Sequence, residues 1–258
     1  MQKVTANNFI AIGKKLLFAV LWAAGLALAW VIVHASVKNE WIFPSLSDTL
    51  KRAVGYLGEK SFYRAFGNTL WRTFRAFFLS LIPATALGVI AYLLPLFRKI
   101  FSPLVKILRA TPTMAIILII LISTTPDEAP VSVAFLALFP MLYTSAEAAL
   151  SSVDPSLVQM SKVYRVPLQK QIWGLYLPTA APYAVKEWSA ALSFSLKLVV
   201  SAEVLANTYI SLGGMMQQAR IFVEVPELFA LTILTVLTGF LLETITGFLA
   251  WLCRREKA

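Results

Sequence analysis

Three ionisable side chains, Lys197, Glu203 and Glu243, each stand inside a long apolar block. A charge at mid-bilayer costs about 2.5 kcal/mol or more, so such groups face protein or water and mark solute paths, ion relays or interhelical pairs. Lys197 and Glu203 are six residues apart, about 240° around a helix. They cannot pair on one face, so their partners come from elsewhere, Glu243 or a second copy of the chain being candidates. Lys197 is then either an anion-attracting or gating group, or half of a structural pair. Lys186 and Glu187 stand near the start of the same block and flank it.

Other chemistry is excluded by what is missing. The single histidine, His34, closes the first apolar block, and the single cysteine, Cys253, stands beside Arg254 and Arg255. Neither gathers further ligands, which excludes an internal disulfide and a cysteine-built metal site. No Ser-His-Asp set or HExxH is available, so hydrolysis has no support. Gly13-Lys14-Lys15 lacks the following Ser or Thr, and Glu59 interrupts Gly58-Glu59-Lys60-Ser61. Neither is a phosphate-binding loop. If ATP drives this protein, another polypeptide carries it.

The elements that position these residues are membrane spans. Of 258 residues 59% are hydrophobic and 14% charged, and mean hydropathy is +0.74. A soluble domain is nearer 45–50% apolar and about 25% charged. The formal net charge of +10 would suggest nucleic acid for a soluble protein. Here the cations flank apolar blocks, which is the pattern of topology determinants and of contacts with anionic lipid, so no nucleic-acid partner is expected.

Six helical spans fit: 16–34, 76–96 behind Arg72 and Arg75, 110–122, 131–150, 184–205 and 228–252. The third is short unless residues 101–109 continue it. Each must be helical, because an unpaired peptide group in hydrocarbon costs several kcal/mol. Pro83, Pro112 and Pro140 read as kinks. The first block is long enough to be a retained span rather than a cleaved leader. Lys3, Lys14 and Lys15, then Arg98, Lys99 and Lys106, then Lys162, Arg165 and Lys170, and finally Arg254, Arg255 and Lys257 all fall on one side, which places both termini in the cytoplasm. The segment 36–68 breaks that rule with Lys38, Lys51, Arg52, Lys60 and Arg64. It fits an extracytoplasmic amphipathic stretch with Leu46, Leu50, Val54 and Leu57 on one face. No repeat or linker divides the chain, and 1–258 reads as one transmembrane domain.

The polar stretch 152–178 stands out between two spans. Asp154-Pro155 is a strong helix start. Leu157, Met160 and Tyr164 follow on one face, and Val166-Pro167 ends the helix. A second short helix, 168–176, leads to Leu177-Pro178. From the residues alone this is either an interfacial connector or a helix–turn–helix that offers a partner an apolar, aromatic edge.

This stretch resembles the cytoplasmic loop of bacterial ABC-importer permeases, E-A-A-x3-G-x9-I-x-L-P. Anchored on Leu177-Pro178, the pattern puts Gln159, Met160 and Ser161 at E-A-A, Arg165 at the glycine and Leu175 at the isoleucine. The literal Glu147-Ala148-Ala149 lies too early, inside span four. Glycine at the Arg165 position would allow a positive-φ turn. Arginine there is strained, and Pro167 offers a different turn geometry. Leu108-Arg109-Ala110-Thr111-Pro112, Phe139-Pro140, Ser152-Val153-Asp154-Pro155, the stretch from Trp188 through Lys197 to Glu203, Leu212-Gly213 and Ala219-Arg220 extend the resemblance. They are most similar to the nitrate/sulfonate/taurine group of these permeases.

That resemblance implies an all-α, polytopic type I importer permease of about six transmembrane helices in the bacterial inner membrane. It has no catalytic site or cofactor of its own. It implies a homodimeric path for a small organic anion, a partner ATPase dimer that carries ATP and magnesium, and an extracytoplasmic solute-binding protein. ATPase docking falls to Leu157, Met160, Ser161, Tyr164 and Arg165, and the path or its gate to Lys197, Glu203 and Pro112. A thiamine-precursor pyrimidine or other vitamin precursor is the alternative cargo. An ion-coupled secondary transporter and a membrane scaffold are the alternative classes.

Overall fold

The computed structural model describes the backbone of residues 2–255 and the side chains of 18–248 other than residues 19 and 23. Lys3, Lys14, Lys15, Cys253, Arg254, Arg255 and Lys257 therefore have side chains outside the described residues. The described chain is helical, with no strand: α1 (Gln2–Val37), α2 (Leu46–Tyr56), α3 (Lys60–Leu93), α4 (Pro95–Ala110), α5 (Thr113–Ser123), α6 (Ala129–Ser151), α7 (Pro155–Val163), α8 (Leu168–Gln171), a π turn (Ile172–Tyr176), α9 (Leu177–Ala206), α10 (Leu212–Ile221) and α11 (Val225–Arg255). Five stretches are long and apolar enough to cross a membrane: Val20–Val37, Lys60–Leu93, Ala129–Ser151, Leu168–Ala206 and Val225–Phe248. The pair α4 and α5, bent by 95°, counts as a sixth if the two form one span.

The chain forms two compact units, 1–59 with 218–233, and 60–217 with 234–258. In the first, Trp30 packs on Phe43 and Phe229 with ring centroids 4.9 and 5.3 Å away. Trp30 Nε1 donates to the Pro44 carbonyl at 3.1 Å, and His34 Nδ1 meets the Phe43 carbonyl at 2.9 Å. His34 thus fixes the turn after α1. Ser45 caps α2 by accepting from the Asp48 N–H at 3.1 Å. Arg52 pairs with Glu227, which also accepts from the Tyr56 hydroxyl at 2.8 Å. The buried side of α2 is Thr49, Ala53 and Tyr56, whereas Leu50, Val54 and Leu57 are exposed. The apolar stripe expected from sequence is thus the outward face. Small residues allow the close approach, and the large ones are left for the kind of surface an interfacial helix covers.

In the second unit α3, α6 and α9 form the core. Lipid offers little hydrophobic drive for helix association, so close packing through small residues takes its place. Ala65, Thr69, Thr73, Ala76, Ser80, Ala84, Gly88 and Ala91 fall three or four apart on α3, and all are buried. They meet Leu138, Leu142 and Tyr143 of α6 and Ala191 and Val199 of α9. At Gly88 an added Cβ would lie 2.8 Å from Ala146 Cβ and 2.9 Å from the Tyr143 carbonyl. The Ser195 hydroxyl donates to the Thr73 carbonyl at 3.1 Å and ties α9 to α3. Ile116, Ile117 and Ile120 of α5 pack on Ala129, Val133, Ala202 and Ala206.

Three boundaries differ from the sequence expectation. Helix α3 starts at Lys60, so Arg72 and Arg75 lie within it rather than ahead of it. They are tolerated because acidic partners neutralise them. The stretch 101–109 does not prolong span three in line, because Thr111 precedes a proline and adopts extended geometry at ψ 126, which ends α4. Residues 168–176 are not a separate helix, because α8, the π turn and α9 run on without interruption.

Candidate functional site

The loop between α6 and α9 exposes several large apolar side chains, among them Met160, Val163 and Tyr164. Asp154 accepts from the Ser156 N–H at 2.8 Å and Pro155 occupies the first helical position, so α7 starts where local chemistry requires. The helix ends in a Schellman turn. The Val166 N–H donates to the Ser161 carbonyl at 2.9 Å and the Arg165 N–H to the Lys162 carbonyl at 3.0 Å. Arg165 stands at the left-handed position with φ 50. The glycine-like geometry is kept, and Pro167 does not replace it. For a residue with a Cβ that conformation costs about 1–2 kcal/mol.

Between α7 and the α8–π segment lies a groove of about 390 Å³, lined by Leu157, Met160, Ser161, Tyr164, Lys170 and Leu175 among others. Leu157, Met160 and Tyr164 are 42%, 53% and 75% exposed. Ser161 is buried and its hydroxyl donates to the Val158 carbonyl at 2.8 Å, so it supports the groove floor rather than its rim. Gln171 Nε2 donates to the Val166 carbonyl at 2.7 Å and holds the two arms together. Glu147-Ala148-Ala149 lies inside α6, with Glu147 paired to Arg98 of α4.

The intramembrane ions are not brought together. Glu203 is fully buried near the end of α9. It accepts from the Thr69 hydroxyl at 2.9 Å, Arg72 Nη1 at 3.1 Å and the Gly213 N–H at 3.2 Å. Arg72 Nη2 reaches on to Asp127 at 3.0 Å. Arg72 of α3, rather than Glu243, supplies the charged partner of Glu203. Arg75 binds Glu128 through both terminal nitrogens at 2.8 Å. Lys197 is exposed and makes no ion pair among the described residues. It lies on an exposed stripe of α9 with Tyr183, Ala190, Phe194, Ser201 and Leu205. Pro112 is the residue before α5, at the 95° bend. Sequence reasoning missed the role of Thr69 and Arg72. The signal was there, since Arg72 stands three residues after Thr69, which lies on the small-residue stripe of α3.

The profile of the family described as binding-protein-dependent transport system inner membrane component matches residues 84–255. The chain belongs to that family.

It is a permease subunit of an ABC importer, a multi-pass membrane protein of a transport system. The permease is 24% identical over 215 residues to a probable ABC transporter permease protein of Brucella melitensis, covering 83% of this chain and 86% of that one. It is 23% identical over 227 residues to the taurine transport system permease protein TauC of Escherichia coli, covering 84% and 81%. It is 22% identical over 147 residues to the bicarbonate transport system permease protein CmpB of Synechocystis, covering 56% and 52%. Among solved structures, an inward-facing MetNI methionine ABC transporter shares the fold with TM-score 0.64 at 17% identity, over 74% of the permease and 94% of that chain. The type I importer permease fold is thus established, with the helix count expected from sequence.

Within the permease, Glu203 and Gly213 meet at the junction of α9 and α10. Gly213 leaves no room for a side chain, because a Cβ would stand 2.7 Å from the Val200 carbonyl. Its bare N–H is what reaches the carboxylate.

Proposed function

We propose that two copies of this permease form the path for a small organic anion of the sulfonate, nitrate or taurine kind. A cytoplasmic ATPase pair grips α7 and the turn after it, with contacts at Leu157, Met160, Tyr164 and Arg165 over a floor set by Ser161. An extracytoplasmic binding protein delivers the solute. The chain works as one transmembrane domain in the bacterial inner membrane with both termini cytoplasmic, and needs no cofactor, since ATP and magnesium belong to the ATPase. Residues 36–68 lie on the outer side.

The observation that carries this reading is the exposed apolar face of α7 beside an open groove. Continuity from Leu168 to Ala206 supports coupling: a pull on the loop acts on α9, whose far end holds α3 through Glu203 and Arg72. A π turn at the base, Ile172–Tyr176, is a place where such a rod yields. ATPase closure then tilts α9 and alternates access. Taurine and bicarbonate, named for two relatives, are both small and bear an anionic group, and Lys197 supplies a cation on the exposed face of α9.

Proteoliposomes containing the permease and its ATPase test this. Leu157→Asp or Tyr164→Asp abolishes ATP-driven uptake and leaves membrane insertion intact. Unchanged uptake in both variants removes the docking role.

A further inference from the structure

Arg165 occupies a backbone position that glycine fills without strain, and it is exposed there. Strain by itself decides nothing, because Val223 takes the same left-handed place after α10 with φ 59. What sets Arg165 apart is its electrostatic setting. Residues 155–186 contain Lys162, Arg165, Lys170 and Lys186 and no acidic residue. Lys162, Arg165 and Lys170 are exposed, and none of the three is in an ion pair among the described residues. Asp154, the nearest acid, is engaged at the start of α7. Arg165 stands in the turn at the end of α7, between Tyr164 and Val166, which both line the groove.

We propose that Arg165 is an electrostatic anchor: its guanidinium pairs with a carboxylate on the rim of the ATPase surface that receives Leu157, Met160 and Tyr164, and Lys162 and Lys170 reinforce the match. This rests on the docking reading above and adds the chemistry of the partner, an apolar pocket with an acidic edge. A charge-assisted contact at a rim acts on association rate and salt dependence more than on the packed centre. The alternative occupant for these cations is anionic lipid.

Three variants separate charge from backbone strain. Arg165→Lys keeps the charge and the strain, Arg165→Gln keeps the strain only, and Arg165→Gly keeps neither. Affinity for the ATPase is measured with the full permease in phosphatidylcholine nanodiscs at low and high salt, beside ATP-driven uptake. The expected result is that Gln and Gly weaken binding alike at low salt, by about three- to fivefold, that Lys keeps most of it, and that wild-type affinity falls with salt while that of Arg165→Gln falls less. Arg165→Gly binding as well as wild type or better overturns the proposal, because the side chain would then be a tolerated burden on the turn. An effect that appears only when phosphatidylglycerol is added overturns it in favour of lipid. Leu157→Asp in the same assay keeps the two readings apart: if it too binds normally, docking itself is wrong, whereas loss in Leu157→Asp with none in Arg165→Gln sinks only the anchor.

Discussion

Arg72 Nη1 lies 3.1 Å from Glu203 Oε1, and this pair fastens α3 to the last turns of α9. The Arg72 side chain is 12% exposed and Glu203 is fully buried, while Asp127, the second partner of Arg72, is 65% exposed. The three groups form a gradient from protein interior to surface, with one guanidinium spanning it.

Removing the cation is therefore the severe change. Arg72→Gln leaves a buried carboxylate without a counter-charge, at about 3–5 kcal/mol. Glu203→Gln costs less, because the Thr69 hydroxyl and the Gly213 N–H still find an acceptor and Arg72 still reaches Asp127. Asp127→Asn costs about 0–1 kcal/mol, as for an exposed pair. Chemical unfolding of the three variants in one detergent gives the order. Asp127→Asn matching Arg72→Gln would place the strength of the cluster at the surface instead.

Two glycines of α3 behave oppositely. Gly88→Ala drives a methyl into Ala146 and the Tyr143 carbonyl across the α3–α6 seam, and costs about 1–3 kcal/mol of overpacking. Gly67 has nothing within 4 Å of an added Cβ, so Gly67→Ala gains up to about 1 kcal/mol of helix propensity. Melting temperatures of the two purified variants shift in opposite directions. A common sign would mean that the α3–α6 seam is looser than its small residues require.

The contrast shows what was legible in the sequence. Apolar blocks and the Asp154-Pro155 start are local signals, and α6, α7 and α11 fall close to where hydropathy and capping put them. The turn after α7 was legible as a position needing positive φ; that arginine accepts it depends on the Schellman hydrogen bonds from Arg165 and Val166. The start of α3 was obscured because Arg72 and Arg75 look like an interface when their partners Glu203 and Glu128 are distant in sequence. The bend at Thr111-Pro112 was visible as a proline, but its 95° follows from packing of α5 on α6 and α9. The groove beside α7 needed three dimensions, since Leu157 and Leu175 come together only once the turn at Arg165 folds the chain back.

The cap on α7 carries a pH signature. Hydrogen bonds from Ser156, its side chain foremost and then its backbone N–H, hold the Asp154 carboxyl below the usual aspartate range. The folded value is lowered, so the stabilisation is fully present above the ordinary aspartate pKa and is lost as pH falls through the lowered one. Protection of amides 157–163 against hydrogen exchange, normalised to intrinsic rates, falls over that acidic window in the wild type. Asp154→Asn, which caps without titrating, stays flat. A wild-type profile as flat as that of the variant would mean the carboxylate does not support α7.

Lys197 locates the water. Its neighbours on the exposed stripe of α9, Phe194 and Ser201, give it no counter-charge, and a lone ammonium against hydrocarbon costs about 2.5 kcal/mol or more. That face of α9 must therefore meet either an aqueous path or a second copy of the chain. Phe240 of α11, 71% exposed, marks a lipid-facing control. In a cysteine-free background made with Cys253→Ser, Lys197→Cys reacts with a hydrophilic thiol reagent far faster than Phe240→Cys, and solute carried by the importer slows the reaction. Lys197→Gln lowers uptake while the protein inserts normally. Equal, slow labelling at both positions would take the solute path off this face of α9 and leave Lys197 buried between the two copies.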